Sequence, residues 1–298
     1  MYNFPFVSVI VPTYNDEKGI QLTLSSLQKQ DYPSNRWEVI VVDNNSTDQS
    51  KVKAFLFQDK IAMLKVVTEE KRSSYAARNK GIELAKGDIL AFIDSDMTVE
   101  PDWISKGVAD IERQEADYVG CRVDIYANFD PPTVWEIFNQ RTGFRIKYYM
   151  EKDGFAGAGN LFVRKDVIER LGPFDARLTS SGDREFGNRV KEGGFKMYYS
   201  DHNIMHHPAR SSMSSLLRKT IRVAMGFVDL RYLFPERYGS LELRPILQSF
   251  RPQLLTDKSF QGIGTVTKLQ LTIIEYLLYY TRAIGQFVRY VQIKLNKK

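Results

Sequence analysis

Apolar and polar positions change period along this chain, and those changes predict its elements. Val7-Ser8-Val9-Ile10-Val11 is a short β-branched run stopped by Pro12, the pattern of a buried parallel strand. From about residue 17 to 30 the spacing lengthens to that of a helix, with Ile20, Leu24 and Leu27 on one face. A second strand, Glu38-Val39-Ile40-Val41-Val42, runs into Asp43-Asn44-Asn45-Ser46-Thr47-Asp48, a hexad of turn and N-cap chemistry ahead of another helix. Residues 63–67 and 89–93 give two further strands around a helix over about 74–85, with Gly87 as a stop. Strands alternating with helices of roughly 10–15 residues predict right-handed βαβ units and a mainly parallel sheet flanked by helices. In such sheets ligands bind beyond the carboxyl ends of the strands. The polar clusters at Asp43 and at Asp94 to Asp96 stand at those ends.

After Pro101 the pattern turns mixed. It predicts a longer strand over 117–126, an aromatic-rich helix over 133–150, a glycine loop over 154–160, a short helix over 181–192 and a strand over 195–199. Two terminal helices follow, over 212–234 and 265–295. No internal repeat or low-complexity linker interrupts the chain, so one α/β domain is expected over 1–210 with a helical extension over 211–298. The apolar stretch 269–295 carries Glu275, Arg282, Arg289 and Lys294. A spanning helix needs about 20 largely uncharged residues, so an amphipathic helix on a membrane surface or on the protein's own core is expected instead.

Composition narrows the classes. Hydrophobic residues at 43% and charged residues at 26% exclude a disordered chain. The net charge of +6 suits phosphate-rich substrates or an anionic membrane face. Its excess gathers late, in Arg218, Lys219, Arg222, Arg231, Arg237, Arg244, Arg251, Lys294, Lys297 and Lys298. These positions are spread over the terminal helices without interleaved stacking aromatics, so no nucleic-acid partner is expected. A single cysteine, Cys121, rules out an intrachain disulfide, and the first residues lack the basic and apolar regions of a secretory signal. The expected location is the cytoplasm or the cytoplasmic face of a membrane.

Candidate chemistry follows the strand ends. Asp94-Ser95-Asp96 places two hard carboxylate ligands directly after a buried strand, the kind of site that holds Mg²⁺ or Mn²⁺ together with substrate phosphates. The next helix is expected near Pro101, which leaves both aspartates too far upstream to cap it. Asp43 is suited to accept from a nucleobase imide or a ribose hydroxyl, or to make an Asx turn. Arg78 and Asn79 sit in the first turns of a helix, within reach of phosphate or a base, or simply in solvent. Gly157-Ala158-Gly159-Asn160 departs from the dinucleotide fingerprint and is weak alone. Asp183 starts a helix after Gly182, as a proton acceptor or as a cap. His206, His207 and Arg210 read as one loop with imidazole and guanidinium groups, or as plain surface.

In this order the segments resemble the family 2 glycosyltransferases, which have the GT-A fold: Val7 to Asn15, Val41 to Asp48, Ala77-Arg78-Asn79 with Gly81, Asp94-Ser95-Asp96, Gly157 to Asn160, Gly182-Asp183-Arg184-Glu185-Phe186 and His207-Pro208-Ala209-Arg210. The resemblance spans roughly residues 5–225. It implies that Pro12, Thr13 and Tyr14 line the nucleobase pocket, that Asp43 bonds the base, and that Arg78 stands near base or diphosphate. Asp94 would touch ribose or donor sugar, and Asp96 would ligate the metal. His207 would complete the metal or diphosphate site, and Arg210 would help hold the diphosphate. Gly159 and Asn160, with Arg184 and Glu185, would shape the sugar and acceptor pocket, and Asp183 would be the catalytic base. The family often carries Glu before that aspartate, where this chain has Gly182. The resemblance implies an inverting transfer from a nucleotide-diphosphate sugar, most simply a UDP-sugar, to a saccharide or lipid-linked hydroxyl in polysaccharide or glycolipid biosynthesis of the cell envelope. A sugar nucleotidyltransferase would need a glycine-rich basic loop after the first strand, which is missing from Pro12 to Gly19. A catalytically silent nucleotide-sugar-binding module would be expected to lack Asp96 or Asp183, and both are present.

Overall fold

The computed structural model describes residues 4–253 and 258–296; Lys297 and Lys298, counted above among the basic residues, lie outside them. Two compact units form. One comprises the chain up to Asp124, Phe144–Arg177 and Gly182–His207; the other comprises Ile125–Gly143, Leu178–Ser181 and the chain from Pro208 onward.

An eight-stranded sheet is the backbone of the first unit, in the order β3-β2-β1-β4-β7-β6-β8-β5. Its strands are β1 (Val7–Thr13), β2 (Trp37–Asp43), β3 (Leu64–Thr68), β4 (Ile89–Ile93), β5 (Thr98–Val99), β6 (Tyr118–Tyr126), β7 (Asn160–Arg164) and β8 (Met197–Pro208). β1 lies between β2 and β4, parallel to both, and β3 is parallel to β2. Every residue of β1, β2 and β4 is buried, which is why the sequence reads there as unbroken β-branched runs. From β7 onward the pairing reverses: β7 is antiparallel to β4 and to β6, and β5 to β8. Sheet and helices thus form the expected α/β architecture, with a mixed sheet whose first four strands are parallel.

Two local features align that sheet. At the amino end of β2, the buried Glu38 accepts hydrogen bonds from Ser8 Oγ, Lys65 Nζ and the Lys86 backbone N–H, each at 2.8 Å. Burial alone would push this carboxyl up, but those three donors overcome it and hold Glu38 below its ordinary range. The helix Ser74–Leu84 packs on β1 and β2. A Cβ at Gly81 would come 2.5 Å from Ile10 Cγ2, so glycine sets how closely that helix lies on the strand.

Three expectations needed revision. His206 and His207 are in β8, not in a loop, because the expected strand 195–199 continues to Pro208 and pairs with β5. The helix expected over 133–150 stops at Thr142; Gly143 follows, then Phe144 at φ 43°, before a short helical stretch resumes at Ile146. β7 was not foreseen, since its five residues run straight into the next helix with no turn residue to punctuate them.

The second unit is helical. Its helices Met213–Leu233 and Thr265–Leu295 pack together, and Phe138, Leu216, Phe260, Leu271, Ile274 and Leu278 form a shared core. A buried Asp229 takes the Arg289 guanidinium at 2.7 Å between the two helices. Among the described residues no helix is long and apolar enough to cross a membrane.

Candidate active site

Asp43 ends β2 and stands in register with Thr13 at the end of β1. Asp43 Oδ2 accepts from the Ser46 backbone N–H at 3.2 Å, closing the turn. Asp43 Oδ1 and Thr13 Oγ1 are buried with no hydrogen-bond partner among the described residues. Roughly 90% of buried polar groups are paired, so two orphaned oxygens on register partners mark a place for a ligand's polar edge. Next to Thr13, the exposed Tyr14 carries the Arg72 guanidinium over its ring, 4.9 Å from the centroid, and Arg72 also bonds its hydroxyl. Asn44 holds the loop bearing Arg72 in place: its Nδ2 donates to the Glu69 and Lys71 carbonyls, and its Oδ1 accepts from Ser73 N–H.

Asp94 leaves the end of β4 and is ion-paired with the buried Arg78. Behind it comes the glycine loop. A Cβ at Gly159 would fall directly on the Asp94 carboxylate, so a larger residue there would have to displace that acid from Arg78. Asn160 pairs with Ile93 across β4 and β7; its Nδ2 donates to the Cys121 carbonyl at 2.7 Å, and its Oδ1 is buried without a partner.

Asp96 lies two residues on, in a turn closed by Met97 N–H on the Asp94 carbonyl. The pairing of Thr98 with His206 brings His207 to this turn, with Nε2 3.2 Å from Asp96 Oδ2. His207 is buried, its Nδ1 has no hydrogen-bond partner, and its ring lies 4.7 Å from that of Phe144. Asp16 braces the same turn by accepting from Ser95 Oγ at 3.0 Å. Burial raises the Asp16 carboxyl above its ordinary range; hydrogen bonds from Ser95 and Gly19 oppose that rise, and the charge of Asp96 adds to it. A carboxylate oxygen and an imidazole nitrogen are thus paired at one point. Among the described residues no group of three or more His, Cys, Asp or Glu gathers as a metal set. A hard divalent cation there would have to take its remaining ligands from substrate oxygens and water, as Mg²⁺ commonly does.

Asp183 opens the helix Gly182–Glu192. A Cβ at Gly157 would lie 4.0 Å from Asp183 Oδ2 and 3.7 Å from Asn160 Oδ1. One short loop therefore touches Asp94 through Gly159 and approaches Asp183 through Gly157. The two aspartates are 89 positions apart in sequence and flank the same four residues in space. Arg184 pairs with Asp153 at 3.0 Å, its guanidinium over the Phe155 ring. Glu185 is buried and held by Arg189, which also donates to the carbonyls of Leu171, Gly172 and Pro173. Arg210 belongs to the second unit, where its backbone N–H donates to Asn139 Oδ1 at 2.8 Å.

Tyr75 was not singled out by the sequence. It lies one turn before Arg78 on the same helix, and its hydroxyl accepts from the backbone N–H groups of Gly182 at 2.8 Å and Asp183 at 3.4 Å. Burial pushes its phenol far up, and the charge of Asp183 adds to that, so it stays a neutral hydroxyl. One helix thus serves both aspartates, Arg78 at Asp94 and Tyr75 at the turn carrying Asp183. The same contact explains Gly182: a Cβ there would meet the Tyr75 ring at 2.7 Å, leaving no room for the family's glutamate. Tyr75→Phe removes the acceptor for Gly182 N–H. It is expected to lower stability in urea unfolding by about 1–3 kcal/mol, and to reduce kcat per folded molecule, counted by donor-site titration, while leaving donor KM in place; a merely structural role would leave kcat per folded molecule unchanged.

Comparison with known proteins identifies the family and the fold. Residues 8–172 match the family model described as glycosyl transferase family 2. The chain is 39% identical over 228 residues to glycosyltransferase AglE of Haloferax volcanii, covering 76% of this chain and 74% of that protein. The mannosyltransferase PcManGT of Pyrobaculum calidifontis, solved with GDP-Man and Mn²⁺, superposes with a TM-score of 0.61 at 20% identity, over 95% of this chain and 74% of that one. TarS 1–349 of S. aureus with UDP-GlcNAc gives 0.56 at 19% identity, over 94% and 90%. These structures share the GT-A fold. The chain belongs to glycosyl transferase family 2, and it is an enzyme that transfers a sugar from a nucleotide sugar in glycan biosynthesis.

Proposed function

We infer that this enzyme is an inverting transferase assisted by Mg²⁺ or Mn²⁺, with a UDP-sugar as donor and a saccharide or lipid-linked hydroxyl as acceptor. The observation that carries this reading is the glycine loop that meets Asp94 at one end and approaches Asp183 at the other. Asp43 Oδ1 and Thr13 Oγ1 would take the polar edge of the nucleobase, with Pro12 and the Tyr14 ring beside it. Asp94, fixed by Arg78, would accept from a ribose or donor-sugar hydroxyl, and Asn160 Oδ1 and Gly159 would bound the sugar. Asp96 and His207 would hold the cation jointly with the diphosphate. Bound there, such an ion offsets the negative charge that grows on the leaving diphosphate.

Asp183 would accept the acceptor's hydroxyl proton as that oxygen bonds to the anomeric carbon and the carbon–diphosphate bond breaks. Attack from the face opposite the diphosphate inverts the anomeric centre in one displacement. Arg184 would bound the acceptor side, and Glu185 would support it through Arg189.

PcManGT was solved with a guanine nucleotide and TarS with a uracil one, so the base is the point to test. A panel of UDP-, GDP- and TDP-sugars with Mn²⁺ is expected to give one clear winner in thermal stabilisation. The expected size is about 2.7 kcal/mol at a hundredfold excess over Kd. Stabilisation by GDP-sugars and not by UDP-sugars would refute the uracil assignment.

A further inference from the structure

The 31-residue helix Thr265–Leu295 in the second unit buries one side against Met213–Leu233 and leaves another open. The open side is apolar. Val266, Leu277 and Val288 recur at eleven-residue intervals, and so do Ile273, Ile284 and Leu295, all of them exposed. Val266, Ile273 and Leu295 are 73%, 59% and 64% exposed, values typical of polar side chains. Eleven residues make close to three α-helical turns, so this repeat keeps the stripe nearly straight along an axis of about 46 Å, drifting about 20° per eleven residues where a seven-residue repeat drifts as far in seven. A straight stripe of that length matches a flat surface.

Charge identifies the surface. Residues 208–298 carry 15 Lys and Arg against 5 Asp and Glu, whereas residues 1–207 carry 27 against 31. The basic excess of the whole chain therefore belongs to the part that bears the stripe. Two copies meeting through this face would set one strongly positive segment against another, while an anionic surface would attract it.

We propose that this helix lies on an anionic lipid surface, its apolar stripe in the headgroup–acyl boundary and its cationic segment against the headgroups. The binding is peripheral and depends on both the stripe and the charge. It is independent of the chemistry at Asp96 and Asp183.

Flotation of the full chain with vesicles tests it, using phosphatidylcholine alone and phosphatidylcholine with about 30 mol% phosphatidylglycerol. The wild type is expected to float with the anionic vesicles, to stay behind with the neutral ones, and to be released as salt screens the attraction. An Ile273→Glu/Ile284→Glu variant changes only exposed positions. It is expected to lose about tenfold or more of the bound fraction, with an unchanged thermal midpoint and unchanged donor hydrolysis. Equal flotation of both proteins, or no flotation of the wild type, would overturn the proposal. So would a wild-type dimer in solution that the variant turns into monomer, since that would give the stripe to a second copy.

Discussion

Asp183→Asn enzyme is expected to bind its donor as the wild type does and to transfer sugar about 10²–10⁴-fold more slowly, the range a positioned general base supplies. The amide keeps the shape of the side chain, and the helix start stays fixed by Tyr75, whose hydroxyl takes backbone N–H groups rather than the carboxylate. Only the capacity to accept a proton is removed. Steady-state kinetics with donor and acceptor both varied would show kcat falling and donor KM unchanged. Transfer at the normal rate would remove Asp183 from the role of base.

The second large effect belongs to Asp96. Asp96→Ala removes the carboxylate of the pair that Asp96 and His207 form at that point. A cation held by two protein groups and the diphosphate cannot lose its carboxylate and keep its affinity, since a hard ion takes most of its binding from charged oxygen. Thermal stabilisation by UDP with Mn²⁺ is expected to drop to the level seen with UDP alone, and transfer to fall by about 10³-fold or more. Asp96 is 40% exposed at its side chain, so the fold should survive the change with little loss. Full Mn²⁺-dependent stabilisation in Asp96→Ala would place the cation elsewhere.

The two substitutions separate because the residues act on different partners. Asp96 would meet the leaving group, and Asp183 the nucleophile. Losing the first would weaken the bound donor; losing the second would leave it bound and idle.

Much of this site was legible in the sequence because its parts sit where strands end. β1, β2 and β4 are buried along their whole length, so their apolar runs are unbroken and the polar residues that stop them, Thr13, Asp43 and Asp94, stand out at once. Asp183 was legible for a different reason: a helix start after glycine is a local pattern. What could not be read locally was the second half of the sheet. β7 has no turn residue before its helix, and β8 carries the polar run Ser200-Asp201-His202-Asn203 in its middle, so its His206 and His207 looked like loop. Tyr75 and Asp16 escaped because each acts across long separations, Tyr75 on Gly182 and Asp16 on Ser95, where nothing in their own neighbourhood signals a partner. Glu185 looked like a pocket residue in its motif, yet its carboxylate is buried with Arg189, a pairing set by helix spacing of four residues.

The most direct test is a crystal structure of the enzyme with Mn²⁺ and an uncleavable UDP-sugar. The cation is expected between Asp96, His207 and the diphosphate, the uracil edge on Asp43, and the Asp183 carboxylate on the side of the anomeric carbon away from the diphosphate. A donor bound with Asp183 on the diphosphate side, or with the cation away from Asp96, would contradict that arrangement.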